Sequence, residues 1–165
     1  MEIGTGMFGL LGPNGAGKTT TVRLLAALIV PTEGRAWVNG YHIGQDNINV
    51  RRSVGILTEA PGLYERLNAV QNLTLYAKLY EVDKPADQVE KYLRLLGLWE
   101  RRGEPVGGFS KGMKQKLAIV RAMLHDPLVL LLDEPTAGMN LEETEDIVRF
   151  VMDVNEEFGT TIVLI

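Results

Sequence analysis

The sequence predicts an α/β fold, a parallel sheet with an inserted helical block and some antiparallel β near residues 35–41. Three observations lead there. Short apolar runs at Met7 to Leu11, Val54 to Leu57, Leu128 to Leu132 and Thr160 to Ile165 read as buried parallel strands. Between about residue 65 and residue 124, apolar side chains recur at helical rather than strand spacing. The dipeptide Asn39-Gly40 closes a short run, Arg35 to Val38, and is a strong hairpin-turn signal.

Each element has its own reason. After the Met7 to Leu11 strand, the segment Thr19 to Leu28 is apolar-periodic and reads as a helix. Pro31 and Gly34 make a turn, and a polar connection follows the hairpin. Glu59-Ala60-Pro61-Gly62 must be irregular. Leu73, Tyr76, Ala77 and Tyr80 share one helix face, and Val89, Tyr92, Leu93 and Leu96 another. Pro85 suits a first helical turn and Gly97 a helix end. Arg101-Arg102-Gly103-Glu104 reads as a solvated connection. Asn140-Leu141-Glu142-Glu143 has capping-box spacing and opens a helix with Ile147, Phe150, Val151 and Val154 on one side. The chain is thus one domain, with a core at 1–60 and 125–165 and a helical subdomain at about 65–124.

Composition narrows the function classes. The 165 residues suffice for one sizeable core. With 45% apolar and 23% charged residues, the chain has the make-up of a soluble globular protein. A formal net charge of −4 leans against broad nucleic-acid binding. The absence of cysteine excludes disulfides and thiolate metal sites. His42 and His125 are too scattered for a metal cluster. No apolar run approaches the roughly 18 residues of a membrane span, and no secretory leader is visible, so a cytoplasmic location is expected.

The stretch Gly12-Pro13-Asn14-Gly15-Ala16-Gly17-Lys18-Thr19-Thr20 lies between the first strand and the first helix. That context separates a phosphate loop from a chance glycine-rich turn. Its glycines let successive N–H groups point inward around an anion, and the helix adds its positive N-terminal end. Lys18 can then reach the β- and γ-phosphates of a nucleotide, and the Thr19 hydroxyl can ligate Mg²⁺. The fold is accordingly that of a P-loop NTPase (RecA-like) core.

The run Leu128 to Leu132 delivers Asp133-Glu134-Pro135 to the end of a buried strand, where open α/β sheets place their ligands. Asp133 would hold Mg²⁺ through its hydration shell together with Thr19. Glu134, pointing the other way, is the better candidate to orient and activate an attacking water.

A third motif, Phe109-Ser110-Lys111-Gly112-Met113-Lys114-Gln115-Lys116, begins a helical stretch. Here the sequence resembles the ATP-binding domain of ABC transporters. Ser110-Lys111-Gly112-Met113 is similar to that family's signature motif, and Leu132-Asp133-Glu134-Pro135-Thr136 to its Walker B motif followed by the D-loop. The segment Val54 to Tyr64 is similar to the Q-loop region, especially of drug-export-type members. Three ordered motifs cover most of the chain.

The resemblance implies a head-to-tail pair of such domains, homodimer or heterodimer, sandwiching two ATP molecules. Ser110 and the Gly112 backbone would touch the γ-phosphate held by the other protomer's Lys18, Thr19 and Thr20. Ser110 also suits a helix N-cap. Glu59 occupies the Q-loop glutamine position and would reach Mg²⁺ through water. A transmembrane permease subunit would dock near Glu59 to Leu67, where Leu63 and Tyr64 offer apolar contact. The domain would then sit on the inner face of the cell membrane through that partner. No nucleic acid partner is expected.

Lys111, Met113 and Asn140 depart from the family's glycine, glutamine and D-loop aspartate, which bears on turnover and on communication between sites. The resemblance also places an adenine-stacking aromatic before residue 1 and a switch histidine after Ile165, so the chain is expected to be truncated at both ends. Stacking is worth on the order of 1–3 kcal/mol, so an isolated fragment is expected to bind ATP weakly, hydrolyse little and expose apolar edges. Two other classes remain open from sequence: a soluble ABC ATPase acting on ribosomes or DNA, and an ATP-gated regulatory module. Glu134 argues against the latter.

Overall fold

A computed structural model describes residues 3–13, 15–58 and 62–165. The elements run β1 (Met7–Gly9), α1 (Lys18–Leu25), β2 (Trp37–Val38), β3 (Tyr41–His42), α2 (Asn47–Ser53), β4 (Val54–Leu57), α3 (Ala69–Leu79), α4 (Pro85–Leu95), α5 (Lys111–Met123), β5 (Val129–Leu132), α6 (Leu141–Phe158) and β6 (Thr161–Leu164). Two 3-10 turns, Trp99–Arg101 and Val106–Gly108, link α4 to α5.

Four strands form a parallel sheet in the order β1-β6-β5-β4, and β2 and β3 pair antiparallel. The hairpin turn is made by Asn39 and Gly40, both left-handed with φ of 49° and 79°, the geometry that asparagine-glycine favours. The parallel sheet and the hairpin both follow the sequence reading.

The strands β4, β5 and β6 are largely apolar because both faces are covered, whereas β1 ends at Gly9 rather than Leu11 and lies largely exposed, with Leu11 92% exposed in the loop beyond it. On one face Leu130, Leu132 and Ile162 meet a core built from α3, α4, α5 and α6, including Leu73, Leu93, Leu117, Ile119 and Phe150. On the other, Leu131 and Val163 meet Val22 and Ala26 around α1, Val38 and Ile43 of the hairpin region, and Val50 of α2. Gly55 brings β4 hard against α5. A side chain there would run into the Ala122 carbonyl, Pro127 and Leu130.

The anticipated stripes on α4 and α6 are buried, with Val89, Tyr92, Leu93, Ile147, Phe150, Val151 and Val154 all inside. Two local expectations need correction. The polar connection after the hairpin contains the helix α2, whose apolar content is too small to declare a period. Its Val50 is buried, Ile48 is exposed, and Asn47 Oδ1 accepts from the Gly44 N–H at 2.7 Å. The helix after the phosphate loop ends at Leu25 rather than Leu28, because Ala27 turns left-handed at φ 50°. Arg51 fixes that turn by donating to the Ala27 carbonyl at 3.2 Å.

Register makes the strand ends level. Gly9 and Leu132 both stand opposite Leu164, and Leu57 opposite Leu132. Everything that leaves the C-terminal ends of the strands therefore emerges along one edge of the sheet.

Candidate active site

The Leu10 N–H makes the last rung of β1, donating to the Leu164 carbonyl at 2.8 Å. The chain then lifts off into the loop Gly12 to Thr20. Gly15 and Gly17 have φ of 83° and 88°, conformations that only glycine takes without strain. Gly17 is the N-cap of α1 and supplies no side-chain cap. The first N–H groups of α1 thus lack the side-chain acceptor that usually answers them, which suits a bound anion. Lys18 folds back over the loop, its ammonium donating to the carbonyls of Gly12 at 2.8 Å and Pro13 at 3.0 Å. The Pro13 carbonyl also accepts from the Ala16 N–H at 3.2 Å. Thr19 and Thr20 are exposed in the first turn. Asn14 lies outside the described residues.

The two acids stand just beyond β5, so their different exposure comes from the turn that follows the strand rather than from strand alternation. Asp133 is only 7% exposed, with its N–H bound to the Leu57 carbonyl at 3.0 Å. Glu134 is exposed, with its N–H bound to the Ile165 carbonyl at 3.0 Å and φ at 47°. A non-glycine residue held left-handed costs about 1–2 kcal/mol, and such strain collects at functional sites. Glu59, the third expected acid, lies outside the described residues. Among the described residues no cluster of three His, Cys, Asp or Glu side chains is arranged to hold a metal.

The signature segment begins α5. Ser110 is its N-cap and accepts from the Met113 N–H at 3.2 Å. The Gly112 N–H donates to Glu143 Oε1 at 3.1 Å. The Asn140 side chain caps α6 by accepting from the Glu143 N–H at 2.8 Å, so the anticipated cap is real while the Glu143 carboxylate reaches across to α5. The Gly112 N–H holds that carboxyl below the usual carboxylate range. Burial opposes this, and the Ser110 hydroxyl, the Asn140 N–H and the Lys111 charge add smaller effects that lower it further. Lys111 lies along Gly138. Sequence reading missed the Glu143 contact because capping-box spacing explains that glutamate locally.

The structure sets Asp133, Glu134 and the start of the phosphate loop on one sheet edge, with only β6 between their strands. It keeps Ser110 and Gly112 apart from Lys18. Their helix α5 packs in the core on one face of the sheet, and α1 packs on the other. Between the motifs, Leu63 packs on the core while Tyr64 is 54% exposed. Tyr76 Oη donates to the Gly62 carbonyl at 2.6 Å. No helix among the described residues is long and apolar enough to cross a membrane.

A glycine loop on a helix N-terminus, beside paired acids at level strand ends, defines a nucleotide-binding P-loop domain. Residues 4–137 match the family described as ABC transporter, and the chain belongs to that family. It is 39% identical over 156 residues to the bacitracin transport ATP-binding protein BcrA of Bacillus licheniformis, covering 94% of this chain and 51% of that protein. Its fold is similar to that of cbiO1 from Clostridium perfringens, part of the ABC transporter complex cbiONQ. The TM-score is 0.89 at 27% identity, over 99% of this chain and 68% of that one. A dimeric post-hydrolysis state of the ATP-binding cassette MJ0796, bound to ADP and Pi, matches with a TM-score of 0.77 at 26% identity. That match covers 96% of this chain and 72% of the other. The chain spans 63%, 51% and 50% of the length of three curated relatives.

Proposed function

We propose that the protein is an ATP-binding and ATP-hydrolysing subunit that powers transport across a membrane through a separate transmembrane partner. The observation that carries this is the separation of the two anion-binding helix ends. The α1 and α5 N-termini belong to opposite faces of one sheet. A second copy or a similar domain, placed head to tail, unites them around one triphosphate. The dimeric relative with ADP and Pi supports such a pairing.

In this reading the N–H groups of Gly12 to Thr20 hold the phosphates, and Lys18 exchanges the Gly12 and Pro13 carbonyls for β- and γ-phosphate oxygens. The Thr19 hydroxyl and the Asp133 carboxylate form an oxygen-only pair, which with water and phosphate suits Mg²⁺. Bound Mg²⁺ would neutralise charge on the phosphate oxygens. Glu134 takes a proton from a water whose oxygen attacks the γ-phosphorus in line. The bond to the β-phosphate bridging oxygen breaks, leaving ADP and phosphate. Catalysis of this kind is positioning and charge stabilisation. Ser110 and Gly112 of the partner domain complete the γ-phosphate cradle.

The helical segment at about 65–124 serves as the subdomain that carries the signature motif and faces the membrane partner. Leu63 and Tyr64 supply the contact, with Glu59 nearby in sequence as a water-mediated Mg²⁺ ligand. The protein then works at the inner face of the cell membrane, held there by its partner. The likeness to a bacitracin transport protein supports the drug-type lean of the Val54 to Tyr64 wording.

The test compares the protein with its Glu134→Gln variant. Hydrolysis should fall by about 10²–10⁴ while ATP binding persists and ATP-bound dimers accumulate on size exclusion. Undiminished hydrolysis would remove Glu134 as the base.

A further inference from the structure

We propose that Glu143 is a gate on the signature motif: its carboxylate occupies, within the unpaired domain, the Gly112 N–H that would receive the partner's γ-phosphate beside Ser110. The inference rests on the reading that Ser110 and Gly112 face a nucleotide held by a second domain.

The Gly112 N–H donates to Glu143 Oε1 at 3.1 Å, beside Ser110, whose hydroxyl caps the same helix by accepting from the Met113 N–H at 3.2 Å. The fit is close because position 112 has no side chain. A Cβ there would stand 3.0 Å from both Glu143 Cγ and Oε1. Lys111 lies on Gly138, beside the same contact. Glu143 itself is fixed at the start of α6, its own N–H bound to Asn140 Oδ1 at 2.8 Å. An anion therefore already sits at the N-terminus of α5, where both the orphan donors and the helix dipole favour negative charge. A γ-phosphate approaching the same donors meets like charge unless the carboxylate swings away. Pairing of two ATP-loaded domains is thus coupled to release of the α5–α6 contact, and Glu143 raises the ATP concentration at which pairing occurs. Glu143 is a positioning residue that acts through Gly112.

The experiment uses the purified protein carrying Glu134→Gln, so that ATP is not consumed, and titrates ATP while light scattering follows mass. ADP affinity, which reports on the phosphate loop alone, is measured beside it. Adding Glu143→Gln, which removes the charge but keeps an acceptor and a polar first turn, should lower the ATP needed for half-pairing by about threefold, and Glu143→Ala by about tenfold. ADP affinity should not change. If the Glu134→Gln protein pairs with ATP but the added substitutions leave that concentration unchanged or raise it, Glu143 supports the signature helix and the gate is overturned. If the Glu134→Gln protein binds ATP yet never pairs, the head-to-tail reading fails and the gate with it.

Discussion

Asn72 and Tyr64 exchange two hydrogen bonds: the Tyr64 N–H donates to Asn72 Oδ1 at 2.8 Å, and Asn72 Nδ2 donates to the Tyr64 carbonyl at 3.0 Å. The same buried amide also reaches the carbonyls of Leu67 at 3.3 Å and Asn68 at 3.1 Å. One side chain on α3 thus satisfies the backbone of the whole turn before it. Asn72→Leu would orphan the Tyr64 N–H, while the three carbonyls keep backbone donors from Leu67, Val106 and residue 72 itself, at a cost of about 1–3 kcal/mol. Urea denaturation would read this as a lowered midpoint with unchanged slope. A loss below about 0.5 kcal/mol would mean that water takes over the bonds.

Among the described residues, the Lys18 ammonium is bonded to carbonyls of its own loop, at an exposed place. Lys18→Ala should therefore disturb the fold little and weaken ATP binding by about ten- to hundredfold, the worth of one charged hydrogen bond or two. Calorimetric titration gives the affinity and a thermal melt gives the control. Full affinity in the variant would show that the backbone N–H groups hold the phosphates alone.

Gly55 has no room for a methyl group, and the nearest obstacle is backbone rather than a movable side chain. Gly55→Ala should push β4 away from α5 and cost about 1–3 kcal/mol. Because β4 ends level with β5, the same shift should reach Asp133, whose N–H is bound to Leu57. Both a lowered melting temperature and a weaker response to Mg²⁺ are expected. A variant with wild-type stability would contradict the close packing.

Burial holds the His125 imidazole below its ordinary pKa, while its bond with the Val54 carbonyl and the charge of Asp126 pull the other way. The unfolded chain therefore binds a proton there more readily than the folded one. Stability from this group is complete above about pH 6.5 and is lost as the pH falls toward the folded value. Glu143 and Asp146, held low by Gly112 and Lys116, add a second loss at more acid pH. His125→Gln should flatten the change in urea midpoint between about pH 7.5 and pH 5.5. Identical slopes in variant and wild type would assign the acid sensitivity elsewhere.

The fold was legible where period or turn chemistry is local. Leu130, Leu131 and Leu132 announce a strand buried on both faces, and Asn39-Gly40 needs no tertiary context to turn. The motif residues were legible too, because phosphate loops depend on glycines at fixed offsets. What escaped depends on contacts distant in sequence. Helix α2 exists because Val50 and Ser53 are buried against their neighbours, and seven residues carry too little pattern to say so. The role of Asn72 has no local sign, since it rests on the backbone groups of Tyr64, Leu67 and Asn68. Glu143 had a sufficient local explanation, and only the packing of α6 against α5 reveals its second role.

Strand β1 pairs with β6, joining Met7 to Ile162 and Phe8 to Val163. A chain emerging from the ribosome makes the phosphate loop well before its supporting neighbour, β6 at Thr161–Leu164. During synthesis β1 waits, unpaired on that side, while the helices of the middle segment are made. Non-local parallel pairing of this kind is slow and leaves intermediates open to association. The ability to grip a nucleotide therefore waits until β6 has been made, and a chain interrupted before β6 carries every residue of the loop without the scaffold that shapes it.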